Sequence, residues 1–310
     1  MKQIALAVTL LIFAAVATTA QFTDWSPPVN LGPVVNTPYL DQCMTISKNG
    51  LSLFFFSTRY AQKDTVPWHL YVAQRPSTDA PWSEPREIVG FNDGYHASCP
   101  QLSLDEHRLF FASNRPGTCG ASGMADIWVS RRHDRRDDFG WGPAVNLGCE
   151  PNGPNSASWE NLPTTFEDET GTEVLYIGSG RPGGPGTGDI WETRMRDDDT
   201  FGPAVLVKEL STPYGEGAAV RRDGLEVILT SNRPGGPGNS DLWTSKRAST
   251  EDPWPEPILI PVLNTKYVEG AHMTFSFDGR AFYFASNRPG GSGSTDIYVT
   301  TREKLRDKKD

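Results

Sequence analysis

The chain has 310 residues, 29 Lys+Arg against 38 Asp+Glu for a formal net charge of -9, 30 glycines, 25 prolines and four cysteines. That acidic balance excludes a nucleic-acid backbone as partner, which needs a basic face. Scattered glycine and proline at this level would suggest low complexity, but here they recur at fixed offsets, which makes them turn chemistry in one all-β domain.

Residues 1–20 read as a secretory signal peptide: Lys2 precedes an apolar stretch from Ile4 to Ala17 that is too short to span a bilayer, and small residues follow up to Ala20. The expectation is export to the periplasm or the extracellular space, with no membrane insertion after cleavage. Residues 21–302 then form the folded domain, and 303–310 a charged tail. The charge runs Asp134-Arg135-Arg136-Asp137-Asp138 and Asp197-Asp198-Asp199 are solvated linkers.

The domain opens on an orphan segment, Trp25-Ser26-Pro27-Pro28-Val29-Asn30-Leu31-Gly32, whose copies recur as Trp82-Ser83-Glu84-Pro85, Trp141-Gly142-Pro143, Phe201-Gly202-Pro203 and Trp254-Pro255-Glu256-Pro257. Between these copies lies a repeating unit. An innermost strand is followed by an Asn-Gly or Asp-Gly turn (Asn49-Gly50, Asp223-Gly224, Asp278-Gly279), a short aromatic strand such as Arg108-Leu109-Phe110-Phe111-Ala112, and then a motif. The motif reads Ser-Asn-Arg-Pro-Gly-Gly leading to Asp-Ile-Trp/Tyr. It supplies Arg115 and Asp126, Arg181 and Asp189, Arg233 and Asp241, and Arg288 and Asp296, with a degenerate first copy from Ser57 to Tyr71 in which His69 replaces Asp. Each unit is a four-stranded antiparallel meander. The last lacks its fourth strand, which the orphan Trp25 segment supplies, so the array is a ring: an all-β, five-bladed propeller closed by its N-terminus.

The motif resembles the WD40-like propeller repeat of bacterial envelope proteins, the repeat also found in the TolB propeller, and the likeness covers nearly all of residues 21–302. It implies a fold rather than an activity, most members being binding or scaffolding propellers.

Repetition in every blade points to a structural role for the motif Arg and Asp, and adjacent strands predict that the two pair with each other. Four cysteines allow three connectivities; Cys43 with Cys99, on neighbouring innermost strands, and Cys119 with Cys149, closing the second blade, are the favoured pairs. The connectors between blades differ from one another and therefore carry the functional signal. They place Tyr39, Asp41, His96, Trp159, Glu160, Tyr214, Glu216, Tyr267 and Glu269 around the channel mouth, with His272 on the channel wall. Such a set suits a protein, a polar small molecule or a glycan bound by a monomer. No organic cofactor is implied, and a divalent cation such as calcium is what the acids would admit. The principal reading is a non-enzymatic binding propeller. The alternative is a glycoside hydrolase-like enzyme using Glu216, Glu269 and Asp41, for which two carboxyls must stand about 5–5.5 Å apart for retention or about 6.5–9.5 Å apart for inversion.

Overall fold

The computed structural model describes residues 22–59, 68–91, 93–120 and 124–305, with Glu216 described by its backbone. The expected signal peptide, most of the first blade's motif loop and the end of the tail lie outside the described residues. No described helix is long and apolar enough to cross a membrane.

Five four-stranded antiparallel sheets form the ring. Strand β1 (Val29–Asn30) is the orphan. Blade 1 is β2 (Asp41–Ile46), β3 (Ser52–Ser57), β4 (His69–Gln74) and β5 (Arg86–Glu87), and blade 2 is β6 (Ala97–Leu102), β7 (Arg108–Ser113), β8 (Asp126–Arg131) and β9 (Val145–Asn146). Blade 3 is β10 (Glu160–Glu167), β11 (Glu173–Ser179), β12 (Asp189–Arg194) and β13 (Val205–Leu206). Blade 4 is β14 (Glu216–Val220), β15 (Glu226–Ser231), β16 (Asp241–Lys246) and β17 (Ile258–Leu259). Blade 5 is β18 (Glu269–Phe275), β19 (Ala281–Ser286) and β20 (Asp296–Thr301), and β1 completes it by pairing antiparallel with β20. Each outermost strand shrinks to two paired residues because the Pro-rich segments ahead of it cannot donate to a ladder.

The second strands are apolar on both faces because both are covered: β3, Ser-Leu-Phe-Phe-Phe-Ser, is buried throughout. Alternate side chains enter different inter-blade cores. Phe54 and Phe56 join Phe111 and Trp128 of blade 2, while Leu53 and Phe55 join Tyr283 and Ile297 of blade 5. Blades are further locked by connector asparagines. The Asn36 carboxamide exchanges two bonds with the Ile297 backbone, Asn155 does so with Ile127, and Asn264 with Leu242, so these three connectors dock beside the third strand of the preceding blade.

The ring closure is reinforced at the opposite rim. Arg302 forms a two-pronged ion pair with buried Glu226 at 2.8 and 2.7 Å, and its guanidinium lies over the rings of Phe22 and Trp25. Chain ends are thereby tied to blade 4 through charge-assisted bonds.

The Cys119–Cys149 disulfide is present, with a Cα–Cα distance of 5.5 Å. It spans 30 residues, so replacing both cysteines by serine should lower unfolding stability by about 3–4 kcal/mol in the chain-entropy model, read from denaturant midpoints. Cys43 and Cys99 correct the other expected pair: they are free thiols buried in the core between blades 1 and 2. The two approach closely enough to hydrogen-bond. Burial first, and contact with Cys99 second, push the Cys43 thiol well above its ordinary value. Without a thiolate the exchange chemistry that makes a disulfide does not start.

Candidate functional site: the connector rim

Strand direction gathers the connectors and the described motif loops on one rim, and tight hairpin turns on the other. On the connector rim every second strand ends in serine, and that serine stands between two partners. Ser179 pairs across with Glu160 of the innermost strand and Asp189 of the third, Ser286 with Glu269 and Asp296, and Ser57 with Asp41 and His69.

That row explains the motif and corrects the expected Arg–Asp pairing. The motif arginine lies two residues past the serine, beyond the end of the ladder, and folds back inward. Arg59 pairs with Asp41, Arg181 with Glu160 and Arg288 with Glu269, at 3.0, 3.1 and 3.1 Å. Each guanidinium also bonds its own serine and stacks over the aromatic ring that follows the motif Asp, as Arg181 does over Trp191 and Arg233 over Trp243. The motif Asp faces the other way and gathers the amides of its glycine loop: Asp296 accepts from Ser292 and Gly293, Asp241 from Gly238, and Asp126 from Cys119. Burial raises the Asp126, Asp189 and Asp241 carboxyls, opposed by those amide bonds. Glycine is required in that loop. At Gly235 φ is +107°, and a Cβ at Gly236 would collide with the Asp241 carboxylate. In blade 2 Ala97 occupies the connector acid's place, so Arg115 bonds the Phe91 carbonyl and meets only the half-exposed, more distant carboxylate of Asp93, at 3.7 Å.

The expected ring of open acids is therefore not formed by Asp41, Glu160 or Glu269. All three are 0% exposed. Asp41 accepts from the Thr37 amide and hydroxyl, Ser57 and Arg59; Glu160 from the Ser156 amide and hydroxyl, Ser179 and Arg181; Glu269 from the Thr265 amide and hydroxyl, Ser286 and Arg288. These are buried carboxylates whose acceptor sites are filled, which is how such groups are tolerated. Burial raises the Glu269 carboxyl, with the Thr265 bonds and Arg288 opposing. Glu216 starts β14 opposite Ser231, the same register position, and its side chain lies outside the description.

Four innermost strands carry a bulge where a non-glycine residue takes positive φ: Cys43, Cys99, Leu162, and Ala271 with His272. One of these bulges bridges the channel. His272 is fully buried and its Nε2 donates across the channel to the Pro163 carbonyl at 2.6 Å, joining blade 5 to blade 3. Burial pushes its imidazole down to about 4. An imidazole that takes a proton at about 6.5 unfolded but only near 4 folded means that the unfolded state binds more protons in that window, so stability present above pH 6.5 is lost as pH falls toward 4. The full effect is about 3 kcal/mol. Melting curves across that range should show the loss in wild type and a flatter profile in His272→Gln.

The remaining rim residues are aromatic. One ring stands in each connector: Tyr39, Tyr95, Trp159, Tyr214 and Tyr267. Tyr214 is 44% and Tyr95 37% exposed, with Trp68, which heads β4, at 38%. Trp159 is half-buried over the third blade's glycines, and Tyr267 lies under the Lys266 ammonium. His96 packs edge-on against Trp68 at 4.8 Å; burial, then His69, hold its imidazole below the ordinary value. Tyr95 and Trp68 escape the sequence reading, although an aromatic in every connector is visible there. A pocket of about 240 Å³ opens beside Tyr214, bounded by Leu162, Thr230, Asn232, Asn239 and Ser240.

A larger cavity, about 750 Å³, lies on the hairpin rim beside Phe22 and Phe277. Size favours it, but eight charged side chains line it, of which Arg221 pairs with Asp223 and Asp168 with Arg194 outside the cavity. The connector rim, with uncharged groups left over, is the better candidate.

No protein-family profile matches the sequence, nor does any curated protein. Solved structures do. An endo-arabinase from Bacteroides thetaiotaomicron is 16% identical with a TM-score of 0.57, over 91% of this chain and 99% of that one. A thermostable family-43 glycoside hydrolase is 13% identical with a TM-score of 0.57, over 90% and 94%. An α-L-arabinofuranosidase from Podospora anserina, in complex with cellotriose, is 12% identical with a TM-score of 0.53, over 93% and 98%. At these identities the likeness shows the five-bladed propeller fold.

Proposed function

We propose that the protein is a carbohydrate-binding propeller that engages a glycan on its connector rim. The observation that carries this is the division of labour there: Asp41, Glu160 and Glu269 are consumed in buried knots with motif arginines, while Tyr95, Tyr214 and the Asn232 and Asn239 carboxamides face solvent. Aromatic faces and neutral hydrogen-bonding groups are what a sugar ring asks for, an apolar face to stack on and partners for its hydroxyls. The likeness to carbohydrate-active propellers favours a glycan over a protein or other polar ligand. The acid knots disfavour hydrolysis, because a glycosidase needs two carboxyls facing one open space.

A second reading, glycoside hydrolysis, is supported by the same structural neighbours, in which Asp41, Glu216 and Glu269 would be the acids to test. One experiment separates the two. Affinity electrophoresis in gels containing linear arabinan, arabinoxylan or β-1,3-galactan, with reducing-sugar release measured in parallel, should give retardation by at least one glycan and no release. Release by wild type that vanishes in Glu269→Gln shown to be folded at the assay temperature would establish the enzyme, and no retardation by any glycan would remove the carbohydrate reading.

A further inference from the structure

The five blades repeat closely, so a place where one departs from the pattern is informative. Blade 4 departs in three ways. Its innermost strand β14 pairs with β15 in unbroken register, without the bulge that the other four innermost strands push into the channel. Its connector turns at Gly215, at φ +73° with open space around it, and continues to Gly217, where the side chains of Thr230 and of Leu162 from blade 3 fill the place a side chain would take. Its motif asparagine is also released. In blades 2 and 5 the motif asparagine caps a connector amide, Asn114 accepting from His96 and Asn287 from Val268, and Thr58 does the same for Leu40 in blade 1. Asn232, in the same position, is exposed and bonds to no described residue, and neither does exposed Asn239.

These departures converge on one pocket of about 240 Å³, with Tyr214 at its edge and Leu162 at its side. No described residue lining it is charged. Its volume is below the roughly 300–1,000 Å³ of sites that enclose whole drug-sized ligands, which makes it a place for one ring rather than a chain. From this geometry we infer that the pocket between blades 3 and 4 is the specificity subsite for a terminal, uncharged sugar ring, with Tyr214 stacking on the ring face and the Asn232 and Asn239 carboxamides reading its hydroxyls. The inference rests on the carbohydrate reading above and narrows it to neutral saccharides held by an end. Carboxamides both donate and accept, which suits hydroxyls; a uronic acid would enter a pocket where no described lining residue offers a cation.

The test is calorimetric titration of neutral arabino-, xylo- and β-1,3-galacto-oligosaccharides, with oligogalacturonate as the acidic probe, into wild type, Tyr214→Ala and Asn232→Ala/Asn239→Ala. All three side chains are exposed, so melting temperatures should be unchanged. The expected result is binding of a neutral oligosaccharide, weakened about tenfold by Tyr214→Ala and by a similar factor in the double variant. Affinity within twofold of wild type in both variants would overturn the subsite while leaving rim binding intact. Equal affinity for oligogalacturonate would overturn the neutral specificity, and wild type that binds no probe would overturn both the subsite and the reading beneath it.

Discussion

Removal of residues 22–36 is expected to leave a chain that aggregates during expression instead of melting cooperatively. The deletion strips β1 from β20, where Val29 and Asn30 pair with Val299 and Tyr298, and exposes the whole edge of the last blade. An unpaired edge of hydrogen-bonding groups beside apolar residues templates intermolecular pairing. It also removes Trp25, buried against Phe275 and Phe282, and Phe22 and Trp25 from beneath the Arg302 guanidinium. Losing a buried Trp alone costs about 3–5 kcal/mol, most of a typical domain's margin. Adding the deleted segment back as a peptide should restore a soluble, cooperatively melting species. A truncated protein with an unchanged melting temperature would mean that the ring is not held shut by its N-terminus.

The second large effect is expected at Asp41. Its carboxylate collects the Thr37 amide, two hydroxyls and Arg59 in a site with no solvent access. Asp41→Ala leaves Arg59 buried without its counter-charge, a change that costs about 3–5 kcal/mol, whereas replacing both partners together with apolar residues is far milder. A double-mutant cycle of Asp41→Leu and Arg59→Met, followed by denaturant unfolding, should therefore give a double variant more stable than the Asp41→Leu single variant. Strictly additive losses would show that the two groups act independently. The motif arginine would then need another purpose.

Much of the architecture is legible in the chain. The orphan Trp25 segment announces the shared blade, and the Asp-Gly turns and aromatic second strands announce four-stranded meanders, because closure and hairpin geometry are local or additive properties. The partner of the motif arginine is not legible that way. Strand adjacency alone pairs Arg with Asp, but the register sets the serine opposite both Asp and the connector acid and sends the arginine past the ladder's end. Asp41, Glu160 and Glu269 consequently look like a site in the sequence and are framework in the structure. The cysteines divide similarly: Cys119–Cys149 closes a local loop, whereas Cys43 and Cys99 stay unpaired in a buried core where burial raises the Cys43 thiol, which spacing does not encode. Asn232 is hidden by its own motif. Its letter is the same as that of Asn114 and Asn287, and only the turn at Gly215 frees it.

The central claim is that connector acids build the rim while neutral groups on it bind. Glu269→Gln tests it most directly, because the change keeps size and hydrogen-bonding capacity and removes only the charge facing Arg288. Melting temperature and oligosaccharide affinity should be measured on the same preparation, with reducing-sugar release alongside. The account predicts a clearly lower melting temperature, affinity within about twofold of wild type where the variant is folded, and no release by either protein. An unchanged melting temperature together with lost binding or lost turnover would contradict it.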